Sequence, residues 1–234
     1  MVAVKFLKSA IIAAVFAGFA GTANAGSLSY TGVITDRNTD FVKVPFVNED
    51  LLKFDSSLGT LDSVVVTWGG LGTGQINFTV TNNGGTTASI KANSNLDVIM
   101  GSTNSDLDTL LTSSFNQTVT AGSGNVGNTI AAGATANLGP YTWQPVSLTQ
   151  TYTSTGDKAL FVGTGSLGLW ADTFTTLSIG GSGAANTTTS ISSQYGLTAT
   201  VTYNYSTPAV PEPSSLALAG LGIAGVVIAR RRRA

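Results

Sequence analysis

The stretch "LTATVTYNY", residues 197–205, decides the fold of this chain. Every second residue is apolar or aromatic, and the residues between them are threonine or asparagine. A period of two is typical of a β-strand that buries one face, because successive side chains point to opposite sides of a strand. The pattern therefore predicts a strand whose inward residues are Leu197, Ala199, Val201, Tyr203 and Tyr205.

Three other stretches repeat this alternation: "SLSYTGVIT" (27–35), "LDSVVVTW" (61–68) and "QINFTVT" (75–81). Each predicts a further strand with one apolar face. The predicted inward residues are Leu28, Tyr30 and Ile34, then Val64, Val66 and Trp68, and then Ile76, Phe78 and Val80.

Glycine-rich turns separate these strands, at residues 82–85, 122–127 and 180–183. Asn83-Gly84 between two strand-like runs predicts a β-hairpin, and Gly59 in "FDSSLGTL" permits a turn before the strand that begins at Leu61. The best helical candidate in this part of the chain is 105–113, for which we expect one short turn of helix or none.

Many short strands separated by such turns predict an all-β protein. We expect a single antiparallel β-sandwich (jelly-roll-like) domain over residues 26–207, flanked by an N-terminal signal helix and a C-terminal transmembrane helix. About 180 residues suffice for a continuous core without disulfides.

The composition excludes several classes of function. The chain has no cysteine and no histidine, so it lacks thiolate metal sites and the commonest general base. Residues 26–207 contain five cationic and eleven acidic side chains, a net charge of about −6. A body without a basic stripe is not expected to bind nucleic acid.

The N-terminus has the three parts of a secretory signal peptide. Lys5 and Lys8 precede an apolar core, residues 10–20, and Ala23-Asn24-Ala25 supplies small side chains for signal peptidase. We expect signal peptidase to cleave between Ala25 and Gly26 and thereby remove residues 1–25.

The C-terminus reads "VPEPSSLALAGLGIAGVVIARRRRA", residues 210–234. Residues 214–229 contain no charge and predict a short transmembrane helix, while Pro211 and Pro213 disfavour a helix before it. The cluster of Arg230, Arg231, Arg232 and Arg233 would stay in the cytoplasm and leave the body outside. A plain tail anchor is the alternative.

Val210-Pro211-Glu212-Pro213, followed by the apolar run and the arginines, resembles the PEP-CTERM sorting signal. The resemblance implies processing by an exosortase near residues 210–213 and defines residues 208–234 as a sorting region. It also implies an inner-membrane-tethered precursor and a final place on the cell surface or in the extracellular matrix.

The body shows a second resemblance. "SLSYTGVITDRNTDF" (27–41) and "KFDSSLGTLDSVVVTW" (53–68) are similar to the choice-of-anchor E domain. That resemblance implies a secreted β-rich domain and names no catalytic group.

Two candidate sites follow from residue types alone. Asp106 and Asp108 in "STNSDLDTL" are candidate Ca²⁺ ligands because calcium takes carboxylate oxygens. Trp143 in "GPYTWQP" is a candidate for stacking on a sugar ring, since we expect it to lie exposed in a loop between two prolines. An ice-binding face would need threonines repeated at a constant period along the sequence, and "TATVT" is not part of such a repeat. We therefore interpret its threonines as solvent-facing residues of a strand.

These observations predict a non-enzymatic, exosortase-sorted protein with a structural or interaction role in an exopolysaccharide or biofilm matrix, without a cofactor. A carbohydrate-binding module is the main alternative. An ice-binding protein and a carboxylate glycan hydrolase are further ones.

Overall fold

A computed structural model describes residues 25–47, 50–121, 128–208, 220–223 and 230–231. The predicted signal helix and the Val210–Pro213 motif lie outside the described residues. So do Arg232, Arg233 and most of the predicted helix at 214–229.

The described chain consists mainly of β-strands joined by short helices and turns. The strands are β1 (Ala25–Asn38), β2 (Val44–Pro45), β3 (Thr60–Gly70), β4 (Gln75–Asn82), β5 (Ala88–Ser102), β6 (Ser113–Ala121), β7 (Asn128–Ile130), β8 (Thr135–Thr142), β9 (Ser147–Tyr152), β10 (Leu169–Gly180) and β11 (Thr187–Ser206). The helices are α1 (Ser105–Leu111) and α2 (Thr155–Leu160), with 3-10 turns at Ser56–Leu58 and Ala184–Asn186. The prediction of a mostly β protein is confirmed. The expectation of at most one helical turn within 105–113 is wrong, because α1 has seven residues, about two turns, and α2 was not predicted at all.

The longest strand, β11, organises a six-stranded sheet in the order β8-β4-β11-β3-β9, with β1 also paired to β11. Both β4 and β3 run along one edge of β11. The Asn186 carbonyl accepts a hydrogen bond from the Asn83 amide, and the Gly196 carbonyl accepts one from the Leu71 amide. Because Asn186 and Gly196 are an even number of residues apart, their carbonyls point to the same edge of β11. β8 and β9 continue this arrangement outward, because β8 pairs with β4 and β9 pairs with β3.

The second sheet has five strands in the order β2-β10-β5-β6, with β7 also paired to β5. Its centre is the antiparallel pair of β5 and β10, whose register joins Leu169 to Ser102 at one end and Gly180 to Lys91 at the other. Seven strand pairs have a described register, and all seven are antiparallel.

The predicted inward faces are correct except at Tyr205, which is only half-buried, as are its neighbours Asn204 and Ser206. The predicted residues of β3 and β4 have no exposed surface, and neither have residues 197, 199, 201 and 203 of β11. In β1, Ile34 is buried, whereas Leu28 and Tyr30 are half-buried. Burying a large apolar side chain contributes about 1.5–3 kcal/mol, so this alternation is the main source of stability.

β5 and β10 were not predicted, although β5 has the most regular alternation among the strands whose burial is described. Ile90, Leu96, Val98 and Met100 are buried together with the small residues Ala92 and Ser94. The polar residues within the inward set hid the pattern. The Ser94 hydroxyl donates to the Thr176 carbonyl across the sheet, at 2.8 Å, and this hydrogen bond makes its burial tolerable.

The hairpin prediction at Asn83-Gly84 is wrong. The turn joins β4 of one sheet to β5 of the other, and each strand pairs with different partners. Asn82 holds this crossover: its side-chain amide donates to the carbonyls of Thr86 (2.8 Å) and Ile130 (3.0 Å), and its Oδ1 accepts from the Gly84 amide. A loop with such a side-chain anchor does not require the two strands to pair.

The chain divides into two compact units. The larger comprises Ser27–Ser56 and Leu61–Asn204 and contains both sheets. In the smaller, a β-carbon added to Gly26 would lie 2.5 Å from the Tyr205 ring. Gly59 has φ +147°, and an added β-carbon there would meet the Ser206 carbonyl. The turn predicted at Gly59 is thus present, and it requires glycine.

Candidate functional site

The described part of the C-terminal region is helical and exposed. Residues 220–223 form a helical segment in which Leu221 is 70% and Ile223 60% exposed. Arg230 and Arg231 are also helical and exposed. Among residues with described positions, none of the helices reaches the length and apolar character of a membrane span.

The predicted signal-peptide cleavage site lies at the start of β1. Ala25 is exposed, and Gly26 is half-buried. Cleavage between these residues would leave a chain that begins at Gly26, within β1. The Tyr205 ring packs against Gly26 and leaves no room for a side chain there.

The two calcium candidates lie on α1 and have different surroundings. Asp106 is exposed, whereas the Asp108 carboxylate accepts a hydrogen bond from the Ser102 amide at 2.7 Å. Asn104 caps the helix by accepting from the amides of Asp106 and Leu107. Within the described ranges, no three His, Cys, Asp or Glu side chains come together as a potential metal-binding group. The Asp108 carboxylate therefore holds α1 to the end of β5 through the Ser102 amide.

The expectation that Trp143 is exposed is wrong. Its side chain has no exposed surface, and its indole Nε1 donates to the Ser193 hydroxyl at 3.2 Å. The Trp143 amide also donates to the Gly74 carbonyl, which fixes the residue after β8 against the sheet. Trp68, Trp170 and Tyr152 are buried as well. None of these four aromatic side chains offers a free face on which a sugar could stack.

The outer face of the six-stranded sheet contains a row of aligned threonines. The Thr31 and Thr200 hydroxyl oxygens are 3.0 Å apart, and those of Thr67 and Thr149 are 3.1 Å apart. Hydrogen bonds from Asn204 to Ser63 and from Thr198 to Gly69 bracket the register of β11 and β3 and set Thr200 beside Thr67. Thr31, Thr200, Thr67 and Thr149 therefore form one line across four strands, here called the threonine row.

Similar pairs extend over the same outer face. Hydroxyl oxygens are 2.7 Å apart between Ser29 and Thr202, and 2.9 Å apart between Thr81 and Thr135. The Thr79 hydroxyl donates to the Asn137 side chain at 2.9 Å. Much of this face presents polar groups ordered by cross-strand hydrogen bonds, a pattern that stabilises sheets modestly.

The outer face of the second sheet has a different character. Phe174 is 60% and Ile99 42% exposed, and the register pairs them with Asp97 and Asp172 respectively. The two apolar side chains are thus diagonal neighbours between carboxylates. Two single exposed apolar residues fall within what monomeric proteins normally tolerate.

Two tyrosines have raised pKa values because they are buried. Burial, together with the negative charge of Asp157, raises the pKa of Tyr152 to about 12. Burial and, secondarily, the neighbouring Tyr30 raise the pKa of Tyr203 above its ordinary value. The Tyr203 hydroxyl donates to the Leu52 carbonyl at 2.7 Å, so its proton is held in the folded protein.

Comparison with protein families explains the C-terminal region. Residues 209–233 match the PEP-CTERM protein-sorting motif. The match begins three residues after the end of β11 and contains Val210–Pro213 and all four arginines. The PEP-CTERM motif implies export and an exosortase-processed precursor, and it confirms the resemblance that the tail residues indicated.

Comparison with other proteins adds little about the body. No curated protein matches the chain. Among solved structures, the infectious bursal disease virus Gx strain is 11% identical at a TM-score of 0.14, covering 92% of this chain and 48% of that one. The Sacbrood virus of honeybee is 12% identical at a TM-score of 0.18, covering 81% of this chain and 75% of that one. This chain thus spans about half the length of the first of these proteins, and such TM-scores carry no argument about function.

Sequence reasoning missed the threonine row. Its members come from four strands that are far apart along the chain, so no repeat in the sequence reveals them. The only local signal is the threonine alternation within residues 197–205.

Proposed function

We propose that this protein is an exosortase substrate whose β-rich body serves a structural or interaction role in an extracellular polysaccharide matrix. Signal peptidase removes residues 1–25, the apolar run holds the precursor in the inner membrane, and exosortase cuts near residues 210–213. The observation that carries the proposal is the sorting-motif match at residues 209–233. Release into the matrix or retention on the cell surface follows.

The body acts in this proposal as a non-catalytic module. The chain contains no histidine and no cysteine, and Trp143 and Trp68 are used for packing. The supporting observation is the polar, hydrogen-bonded outer face of the six-stranded sheet, because such a surface suits a hydrated matrix better than a hydrophobic interface.

The fold proposed for the body is a jelly-roll sandwich of the choice-of-anchor E type. If β3 with β4, β6 with β7, and β8 with β9 count as single strands, eight strands remain in chain order. One sheet then has the order 1-8-3-6 and the other 2-7-4-5, with Phe46 near β2 packed 5.8 Å from the Trp68 ring of β3. Two interleaved Greek keys of this kind are typical of a jelly roll.

The mass of the native C-terminal peptide tests the sorting proposal. We expect protein from the surface and medium fractions to end near residues 210–213, and membrane-bound precursor to extend to Ala234. Changing Pro211 and Pro213 to Ala should leave the precursor uncut in the membrane. Pro208→Ala, which lies outside the matched residues, is the matched control and should be processed normally.

A tail that is intact in every fraction would reject exosortase processing and support a plain tail anchor. Normal processing of the double proline variant would equally reject the role assigned to the motif.

A further inference from the structure

We propose that the threonine row and its neighbours bind an extended, uncharged polysaccharide through hydrogen bonds alone. This inference rests on the proposed function, because it names the partner of the exported body. It assigns a glycan-binding role to threonines that the sequence pattern indicated only as solvent-facing.

The first argument is the regular spacing of the hydroxyl groups. Neighbouring strands lie about 4.8 Å apart, and alternate residues along one strand lie about 6.8 Å apart. The threonine row therefore belongs to a two-dimensional lattice of outward side chains, most of which are polar, with Val33, Val65 and Gly69 as the exceptions in the flanking rows. A polysaccharide also repeats its hydroxyl groups at intervals of one ring, so successive sugars would meet successive strands in the same way.

The second argument is hydrogen-bonding capacity. A hydroxyl can donate once and accept twice. In the pair Thr67–Thr149 either oxygen is the donor, so pairing consumes one hydrogen and leaves the other for a partner. The same holds for Ser29–Thr202 and Thr81–Thr135. The pairing also fixes the side chains, which lowers the entropy lost on binding.

The third argument is charge. The threonine row contains no charged side chain, and neither do the rows on either side, which consist of Ser29, Thr202, Val65 and Thr151 and of Val33, Thr198, Gly69 and Ser147. One row further along, the Asp36 carboxylate lies next to Gly196: a β-carbon added to Gly196 would be 2.5 Å from the Asp36 Oδ1 atom. A surface with no cation and a nearby carboxylate disfavours an acidic polysaccharide and suits a neutral one.

The fourth argument is that the face lacks the features of a protein interface. Such interfaces have a core enriched in aromatic residues, methionine and arginine. The exposed large apolar side chains of the described residues all lie outside these three rows: Val42, Val47, Leu52, Leu58, Leu71, Ile99, Phe174, Leu177, Leu221 and Ile223. Sugar contacts must then be made by hydroxyl groups rather than by ring stacking.

Depletion binding tests this proposal with the full chain in detergent micelles. The neutral probes are amorphous cellulose, starch and galactomannan, and the acidic probe is alginate. We expect binding to at least one neutral glycan and none to alginate. Changing Thr67, Thr149 and Thr200 to Val should weaken binding at least about tenfold, since it removes three hydrogen-bonding groups while keeping side-chain shape.

The matched control carries Thr176→Val and Ser178→Ala on the outer face of the other sheet, where residues 176 and 178 are exposed. It should bind like the unchanged protein. Melting curves verify folding, and Thr149→Val alone, at the exposed edge strand, provides a milder variant with a smaller expected loss.

Failure to bind any neutral glycan, equal binding by the triple variant, or preferred binding to alginate would overturn the inference. So would a loss of ice-recrystallisation inhibition or of dimer formation in the triple variant without a loss of glycan binding, since the face would then serve ice or a second copy. The C-terminal peptide mass is independent of these results, so sorting can fail while glycan binding holds, and the reverse.

Discussion

The two faces of the six-stranded sheet use the same backbone for opposite purposes. Along β11, Leu197, Val201 and Tyr203 point inward and have no exposed surface, while Thr200 and Thr202 between them point outward. The inner face stabilises the protein by excluding water. The outer face orders polar groups that remain in contact with water. Neighbouring residues on one strand should therefore differ sharply in their effect on stability, and buried and exposed groups elsewhere in the protein should differ in the same direction.

The largest effect is expected from Trp68 compared with its neighbour Thr67. Trp68→Ala should lower the free energy of unfolding by about 3–5 kcal/mol because it leaves a large cavity. Thr67→Val on the outer face should change it by no more than about 0.5 kcal/mol. Urea unfolding followed by the fluorescence of Trp143 and Trp170 measures both.

Trp68→Phe sharpens this first test. The indole Nε1 of Trp68 is buried and has no hydrogen-bond partner, so phenylalanine loses volume but also removes an unsatisfied donor. Its cost should be clearly smaller than that of alanine. Equal costs would contradict the cavity argument, because phenylalanine leaves a smaller void than alanine.

The second effect compares Asn82 with Asn83. Asn82→Ala should cost about 2–3 kcal/mol, because it leaves the carbonyls of Thr86 and Ile130 without their donor in a buried crossover. Asn83→Ala removes only an exposed bond of 2.8 Å to the Thr188 hydroxyl and should cost about 0.5 kcal/mol or less. Thermal unfolding distinguishes the pair, and similar costs would contradict the role given to Asn82.

The third effect is a loss of stability at alkaline pH. Because burial raises the pKa of Tyr152 to about 12, the folded protein keeps a proton that the unfolded chain releases from about pH 10. The contribution of Tyr152 to the free energy of unfolding should be fully present below about pH 10 and should be lost as pH rises toward 12. Tyr203 acts in the same direction.

Unfolding at a series of pH values measures this slope. The double variant Tyr152→Phe and Tyr203→Phe should show a shallower decline than the unchanged protein between pH 10 and 12. An unchanged slope would mean that other groups dominate alkaline unfolding.

The smallest effect concerns Asp108. Asp108→Asn should lower the free energy of unfolding by about 1 kcal/mol through weakening of the charge-assisted bond to the Ser102 amide. Asp106→Asn, at an exposed position, is the matched control and should cost less. Melting with calcium or a chelator should give the same values, whereas stabilisation by calcium that either change removes would restore the metal-site interpretation.

The accuracy of the strand predictions depended on where the polar residues lie. In β3, β4 and β11 all inward residues within the predicted segments are apolar or aromatic, and the alternation is visible at once. In β5 the inward Ser94 and Ala92 interrupt it, and burial of Ser94 becomes possible only through the Thr176 carbonyl of another strand. Likewise, Trp143 was expected to be exposed because prolines flank it, but Ser193 supplies a buried partner for its indole.

The sequence by itself determined the sorting motif, the all-β class and the inward faces of four strands. These properties depend on contiguous residues: a cleavage motif is read along the chain, and side chains alternate along a strand regardless of its partners. Only the tertiary structure decided which strands pair, that Asn82-Asn83-Gly84-Gly85 crosses between sheets, and that Thr31, Thr67, Thr149 and Thr200 form one row. Strand register joins residues that are distant in the chain, and it is set by packing of the whole core rather than by any local pattern.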